Sequence, residues 1–456
     1  MKLVITPSAA LSGSVRVPGD KSVTHRALML SALCDGVTEI THPGTGEDNL
    51  STLEALKALG VPISFDDAEH FTVTGVGLHG LVAPAKPVDC GNSGTTARLL
   101  AGLLAGANVP AILTGDASLQ ARPMRRIADP LNDLGYSVKT SADGTMPITI
   151  EATHVDADAE PTPVRAVLQI ASAQVKSCVL LSGLYRGATT EVVEPAVSRD
   201  HTERLFRALG VRIGSSGHYA NPAGTSEAET LPTTFLTPPS RTLLARGLEI
   251  PGDPSSAAFL LAAGMLTGGS VSIEGVMTNP TRAAFLKVWE RMGAEVRLRR
   301  RATLSSGEPV ATITVTGDAL LATEIVGAEV PLVIDEIPLL CVVAAASTGT
   351  FVVRDAAELR VKESDRIAST VALLRCLGVT VEEEDDGLRF DGLGIAEWGG
   401  FTFDAGGDHR LGMAAAVAAL CATDVCEVRG SDCIAVSYPG FVEALRSLGC
   451  SVEEAV

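Results

Sequence analysis

The sequence predicts an α/β protein of two similar domains built from six α/β units. Three observations carry that expectation: a recurring helix terminator, a recurring buried helix and a gap-free match between the two halves. The terminator is Leu-Gly or Met-Gly, with glycines at 60, 135, 210, 293, 378 and 449, spaced by 75, 75, 83, 85 and 71 residues. The third residue after each is Ile63, Val138, Ile213, Val296, Val381 or Val452. Each reads as helix, left-handed glycine cap, strand, since glycine alone enters that conformation without a Cβ penalty and β-branched residues favour strands.

The buried helices precede these terminators, in GDKSVTHRALMLSAL, GNSGTTARLLAGLLAG, LQIASAQVKSCVLLSG, GDPSSAAFLLAAGML, IDEIPLLCVVAAAS and GDHRLGMAAAVAAL. Segments apolar almost all round must be covered on every side. Stretches such as MPITIEA, ATITVTG and GLRFDGLG supply strands between them. The halves match because Val17 to Ile63 lies over Ile250 to Val296 at a constant offset of 233, pairing Pro18-Gly19-Asp20 with Pro251-Gly252-Asp253. Three units per half follow. The expected domains are residues 19–245, and 1–18 with 246–456, with a hinge and cleft between them. A solenoid is disfavoured because its repeats are usually about half as long as these.

The chain has 456 residues, 36 Lys+Arg and 54 Asp+Glu, hence a formal charge of 36 − 54 = −18. With 46% hydrophobic and 20% charged residues it is too apolar for a disordered chain. The acidic balance and 4% aromatic content disfavour nucleic-acid binding, which needs a basic face and stacking platforms. Neither a signal peptide nor a membrane-spanning run is evident, and nine scattered cysteines suit a reducing cytoplasm. Cys421, Cys426 and Cys433 lack the spacing of a thiolate zinc site, so no metal is expected. The acidic run at 382–386 is expected as a solvated loop, and the basic one at Arg297–Arg301 as an exposed strand.

Helix starts carry unsatisfied N–H groups and partial positive charge, so several converging on one place form an anion site. Here they are rich in residues that extend that role, polar side chains and one glycine that bares its backbone: Lys21, Ser22 and Arg26; Asn92, Gly94, Thr95 and Arg98; Ser172, Gln174 and Lys176; His409 and Arg410. GNSGTT lacks the Gly-Lys-Ser/Thr ending of a P-loop, and no dinucleotide fingerprint is present, so neither ATP nor NAD is expected. Arg360, Lys362, Glu363, Asp365 and Arg366 precede another helix. Asp335-Glu336 interrupts an apolar run, which suits either capping or catalysis.

In order, PGDKSVTHRALMLSAL, GNSGTTARLL, LQARPMRRIADPLNDLG, SAQVKS, SRDHTERLFRALG, RVKESDRI, GDHRLGMA and SYPGF resemble the motifs of the 5-enolpyruvylshikimate-3-phosphate synthases across nearly the whole chain. The resemblance implies the family fold, two domains of three βαβαββ units each in the inside-out α/β barrel arrangement of enolpyruvyl transferases. It implies transfer of the enolpyruvyl group of phosphoenolpyruvate to shikimate 3-phosphate, in aromatic amino-acid biosynthesis, by a cytoplasmic monomer with no cofactor. By motif, shikimate 3-phosphate falls to Lys21, Ser22, Arg26, Ser172, Gln174, Asp335 and Lys362. Phosphoenolpyruvate falls to Lys21, Asn92, Gly94, Arg122, Gln174, Arg366 and Arg410, and the inhibitor glyphosate to the same place beside Gly94. Guanidinium forks suit this ligand, each charge-assisted bond contributing about 1.5–3 kcal/mol. The chemistry needs a proton acceptor and a donor, for which Asp335 and Glu363 are expected, with Lys21 at the leaving phosphate.

Three positions depart from the common family pattern: Val436 where many members have Lys, Leu99 where many have Pro, and Ala173 where others have Ser. The rival readings are a UDP-N-acetylglucosamine enolpyruvyl transferase and a catalytically silent binding protein of the same fold. The first typically uses a loop cysteine, which GDASLQARPM lacks; the second is opposed by the joint presence of the charged residues above.

Overall fold

All six recurrent glycines adopt positive φ, from +81° at Gly210 to +98° at Gly449. An L side chain is strained there, so each glycine turns the chain out of a helix. The strands that follow are Ile63–Asp66, Ser137–Lys139, Ile213–Ser216, Glu295–Thr303, Val381–Glu384 and Val452–Ala455. The computed structural model describes residues 1–66, 70–153, 162–216, 231–394 and 398–455.

Among the described residues the strands form six four-stranded sheets with one shared wiring: a parallel pair extended by two antiparallel strands. Thus Leu248–Glu249 runs parallel to Asp35–Thr41, which pairs antiparallel with His70–Val76, and that strand with Ile63–Asp66. Two further sheets, like this one, recruit strands from far away in sequence. Ser12–Arg16 runs parallel to Ser270–Met277, and Lys2–Ile5 lies between Cys426–Arg429 and Val452–Ala455, antiparallel to both. Leu3 and Ile5 are buried at alternate positions of that strand, fixing its register.

Two compact units result: residues 1–20, 251–303 and 309–456 in the first, 21–250 and 304–308 in the second. The divisions fall after Asp20 and Ile250, whereas the sequence suggested 18 and 245. Leu248–Glu249 is tied to Asp35–Thr41, while Asp20 N donates to Pro251 O (2.7 Å) and Asp253 N to Pro18 O (2.9 Å). The hairpin tip 304–308 joins the second unit through Glu308, 2.7 Å from His201 Nδ1, and Ser305, whose Oγ accepts from Glu249 N at 2.7 Å.

The second unit contains the buried helices Lys21–Ala32, Gly94–Ala107 and Ala173–Gly183; the first contains Pro254–Leu266, Ile337–Ala345 and His409–Leu420. Every residue of the last three is buried. Gly102 permits backbone-to-backbone approach of two helices: a Cβ there would meet Cys178 O at 2.1 Å.

The basic run lies in the exposed strand Glu295–Thr303. The acidic run differs from its expected loop: Glu382, Glu383 and Glu384 belong to a strand paired with Gly387–Asp391, because alternation leaves Val381 to face the core. All nine cysteines are free and only Cys376 is exposed. Among the described residues no helix is long and apolar enough to cross a membrane.

Candidate functional site

In the second unit, polar side chains stitch the first turns of its three buried helices together. Arg26 donates from Nε to Thr202 Oγ1 (2.7 Å), from Nη2 to Ser177 Oγ (2.8 Å) and from Nη1 to Ser22 O (2.9 Å). Lys21 Nζ lies 3.0 Å from Asp48 Oδ2, and its carbonyl accepts from Asn49. Gln174 donates to Thr95 Oγ1 (2.9 Å) and accepts from Arg98 Nη1 (2.7 Å), linking two helix starts. Ser172 is the N-cap position of Ala173–Gly183 and makes no side-chain capping bond.

Arg122 donates from Nη2 to Asn92 Oδ1 at 2.6 Å, while Asn92 Nδ2 donates to Asp116 Oδ2 at 2.6 Å. Gly94 opens the adjacent helix, and a Cβ there would lie 3.1 Å from Arg98 Nη1 and 3.3 Å from Arg122 Nη1. Glycine therefore keeps space beside two guanidinium groups. Ser93, preceding it, caps the helix by accepting from Thr96 N.

Lys176 follows a different course from the other helix-start cations. It is enclosed and bridges Glu194 and Glu203 at 2.9 Å each, so it is a core charge and not an exposed anion contact. Burial opposes its charge, but the two glutamates more than offset that and hold it above the ordinary lysine range. Glu194, pushed upward by burial, also accepts from Ser198 Oγ.

In the first unit Arg366 is the hub, 1% exposed at the start of Arg366–Cys376. It donates to Asp408 Oδ2 (2.8 Å), Glu363 Oε2 (2.6 Å) and Asp335 Oδ1 (3.3 Å). Burial disfavours its charge, but Glu363, Asp408 and Asp335 overcome this and raise its pKa. Asp408, whose ionisation burial opposes, is nevertheless held below the usual carboxylate range by Arg366 and His409. Arg410 donates to Asp335 O at 3.3 Å and approaches its Oδ2 at 3.7 Å. Lys362 is lowered by loss of solvation, with Arg366 adding repulsion and Asp335 opposing it.

Of the Asp335-Glu336 pair, Glu336 does not cap the following helix. Glu336, at the N-cap position of Ile337–Ala345, makes no side-chain capping bond; it accepts from Ser255 Oγ and from Arg282 Nη1 at 3.1 Å. Asp335 is bound by the two arginines instead. Asp48, Asp116 and Arg282 carry no motif in the sequence that marks them: Asp48 follows Glu47 at an ordinary acidic helix start, and Asp116 and Arg282 stand as single charges. Of the departures, Leu99 is fully buried, Ala173 opens its helix and Val436 ends the 3-10 helix Ser431–Val436. Among the described residues the one group with metal-ligand proximity is Asp200, His201 and Glu308, into which Arg204 Nε already reaches, 2.9 Å from Asp200 Oδ1.

Residues 5–445 match the family model for EPSP synthase (3-phosphoshikimate 1-carboxyvinyltransferase). A 3-phosphoshikimate 1-carboxyvinyltransferase of Citrifermentans bemidjiense is 43% identical over 446 residues, 97% of this chain and 98% of that protein. The EPSP synthase structure from Acinetobacter baumannii superposes with a TM-score of 0.84 at 36% identity, covering 99% of this chain and 100% of the other. The enolpyruvyl transferase NikO from Streptomyces tendae, 22% identical over 100% of this chain and 98% of that one, has the same fold at a TM-score of 0.74.

Proposed function

The chain belongs to the EPSP synthase family, the 3-phosphoshikimate 1-carboxyvinyltransferases, and from that premise we propose how its residues perform the transfer. The enolpyruvyl group of phosphoenolpyruvate passes to the 5-hydroxyl of shikimate 3-phosphate, and phosphate leaves, on the route to chorismate and the aromatic amino acids. Lys21, Ser22, Arg26, Ser172, Gln174, Asp335 and Lys362 bind shikimate 3-phosphate. Lys21, Asn92, Gly94, Arg122, Gln174, Arg366 and Arg410 bind phosphoenolpyruvate, and glyphosate competes for that position.

Asp335 takes the proton of the attacking hydroxyl and Glu363 protonates the methylene carbon, giving a tetrahedral intermediate. Phosphate then departs with Lys21 offsetting its charge, while the new methyl group returns a proton to the Glu363 carboxylate and the C–H electron pair re-forms the C=C bond. The fork of Arg366, which reaches Asp335 with one arm and Glu363 with the other, supports this division of labour. Anionic substrate oxygens on Arg366 would draw it from Glu363, favouring the protonated state that a donor needs. Nine free thiols, most of them buried, suit a cytoplasmic enzyme, which we take to act as a monomer.

The test is phosphate release from phosphoenolpyruvate with shikimate 3-phosphate as acceptor, alongside a UDP-sugar acceptor and Asp335→Asn. Release that requires shikimate 3-phosphate and collapses in the variant supports the reading. Release with the UDP-sugar alone transfers the assignment to the rival acceptor, and full turnover by Asp335→Asn removes that residue from the mechanism.

A further inference from the structure

Arg282 lies in the buried loop before Ala284–Arg291, outside the residues assigned to either substrate. Its guanidinium gathers three carboxylates. Nη2 is 2.9 Å from Asp253 Oδ1 and 3.5 Å from Asp20 Oδ2, while Nη1 is 3.1 Å from Glu336 Oε1; Ser255 Oγ accepts from Nη2 at 2.7 Å. Asp20 and Asp253 are the equivalent acids of the two Pro-Gly-Asp segments, and Asp20 directly precedes Lys21. Glu336 directly follows Asp335.

Two arginines compete for Glu336. Arg282 Nη1 is the nearer at 3.1 Å, and Arg410 Nη1 stands 3.9 Å from the same oxygen. Arg410 is meanwhile held by Asp335, through its carbonyl at 3.3 Å and its carboxylate at 3.7 Å. Glu336 is 1% exposed, so water offers it little compensation for a lost cation. Attraction in such an enclosed place rises steeply as separation falls, and a Glu336 deprived of Arg282 would pull Arg410 toward it.

We propose that Arg282 is a positioning residue: by holding the carboxylate of Glu336 it keeps Arg410 directed to Asp335 and available to phosphoenolpyruvate. This rests on the assignment of Arg410 to that substrate. The role is electrostatic partitioning, since Arg282 occupies the acid that would otherwise divert its neighbour.

Arg282→Lys retains a charge near Asp253 but cannot fork to Glu336. Its KM for phosphoenolpyruvate is expected to rise about tenfold, with kcat and the KM for shikimate 3-phosphate within about threefold of the parent. Arg282→Lys/Glu336→Gln should recover most of the lost KM, because the neutral amide no longer draws Arg410 away. Selective loss with recovery supports the proposal. An unchanged KM, failure of the second substitution to restore it, or parallel losses in both KM values, kcat and melting temperature would overturn it. Arg410→Lys separates the two readings: if it leaves the phosphoenolpyruvate KM unchanged, the premise fails, and if it raises that KM while Arg282→Lys does not, only this proposal fails.

Discussion

Arg366 Nη2 lies 2.6 Å from Glu363 Oε2, three residues earlier in the chain, in an ion pair whose cation is enclosed and whose anion is partly exposed. Glu363→Gln keeps an oxygen for Arg366 but has no acidic proton to give. Turnover is expected to fall about 10²-fold or more, and solvent deuterium entry into the methylene of phosphoenolpyruvate should fall with it. Exchange at the parental rate would remove Glu363 as the donor.

Gly94→Ala places a methyl 3.1 Å from Arg98 Nη1 and 3.3 Å from Arg122 Nη1. Both neighbours are ends of flexible side chains, so folding should survive while the space narrows. Glyphosate inhibition is expected to weaken about tenfold, within the range that one added methyl can discriminate, with a smaller rise in the phosphoenolpyruvate KM. Inhibition curves that coincide for the two proteins would contradict the placement of glyphosate.

Asp408 is held below its ordinary range in the folded protein despite burial, chiefly by Arg366. Its contribution to stability is therefore fully present above the unfolded value of about 3.9 and drains away as pH falls through the lower folded value. Asp408→Asn retains a side-chain oxygen to cap His409–Leu420 but loses the charge. Melting temperatures should be lower than the parent's at neutral pH and converge with them in acid. A constant gap across the titration would refute the linkage.

Lys176→Met would leave Glu194 and Glu203 buried without their shared cation. The expected loss is about 3–5 kcal/mol, read from denaturant midpoints. Thr202, which holds Arg26, lies on the same helix as Glu203, so the KM for shikimate 3-phosphate should rise as well. A variant as stable as the parent would show that the triad contributes little net energy.

Periodicity made the repeat legible, since a glycine forced into positive φ leaves the same mark at every helix end. Long-range pairing left no comparable mark: nothing in KLVI says that it lies between strands more than 400 residues away. The same limit applies to side chains. Lys176 looks like other helix-start cations until Glu194 and Glu203 are seen around it, and Arg282 gains significance only from acids brought to it by three separate segments. Motif resemblance marked the residues proposed to meet substrate, while the partners that hold them depended on tertiary contacts.

The placement of Lys2–Ile5 between Cys426–Arg429 and Val452–Ala455 also constrains the timetable of biosynthesis. A strand made at residues 2–5 must wait for neighbours made more than 400 residues later. The first unit therefore cannot close this sheet until residue 455 has emerged, whereas every segment of the second has emerged once residue 308 is clear of the ribosome. Nascent chains arrested between those points should expose an unpaired Leu3-Ile5 face, a natural target for chaperones.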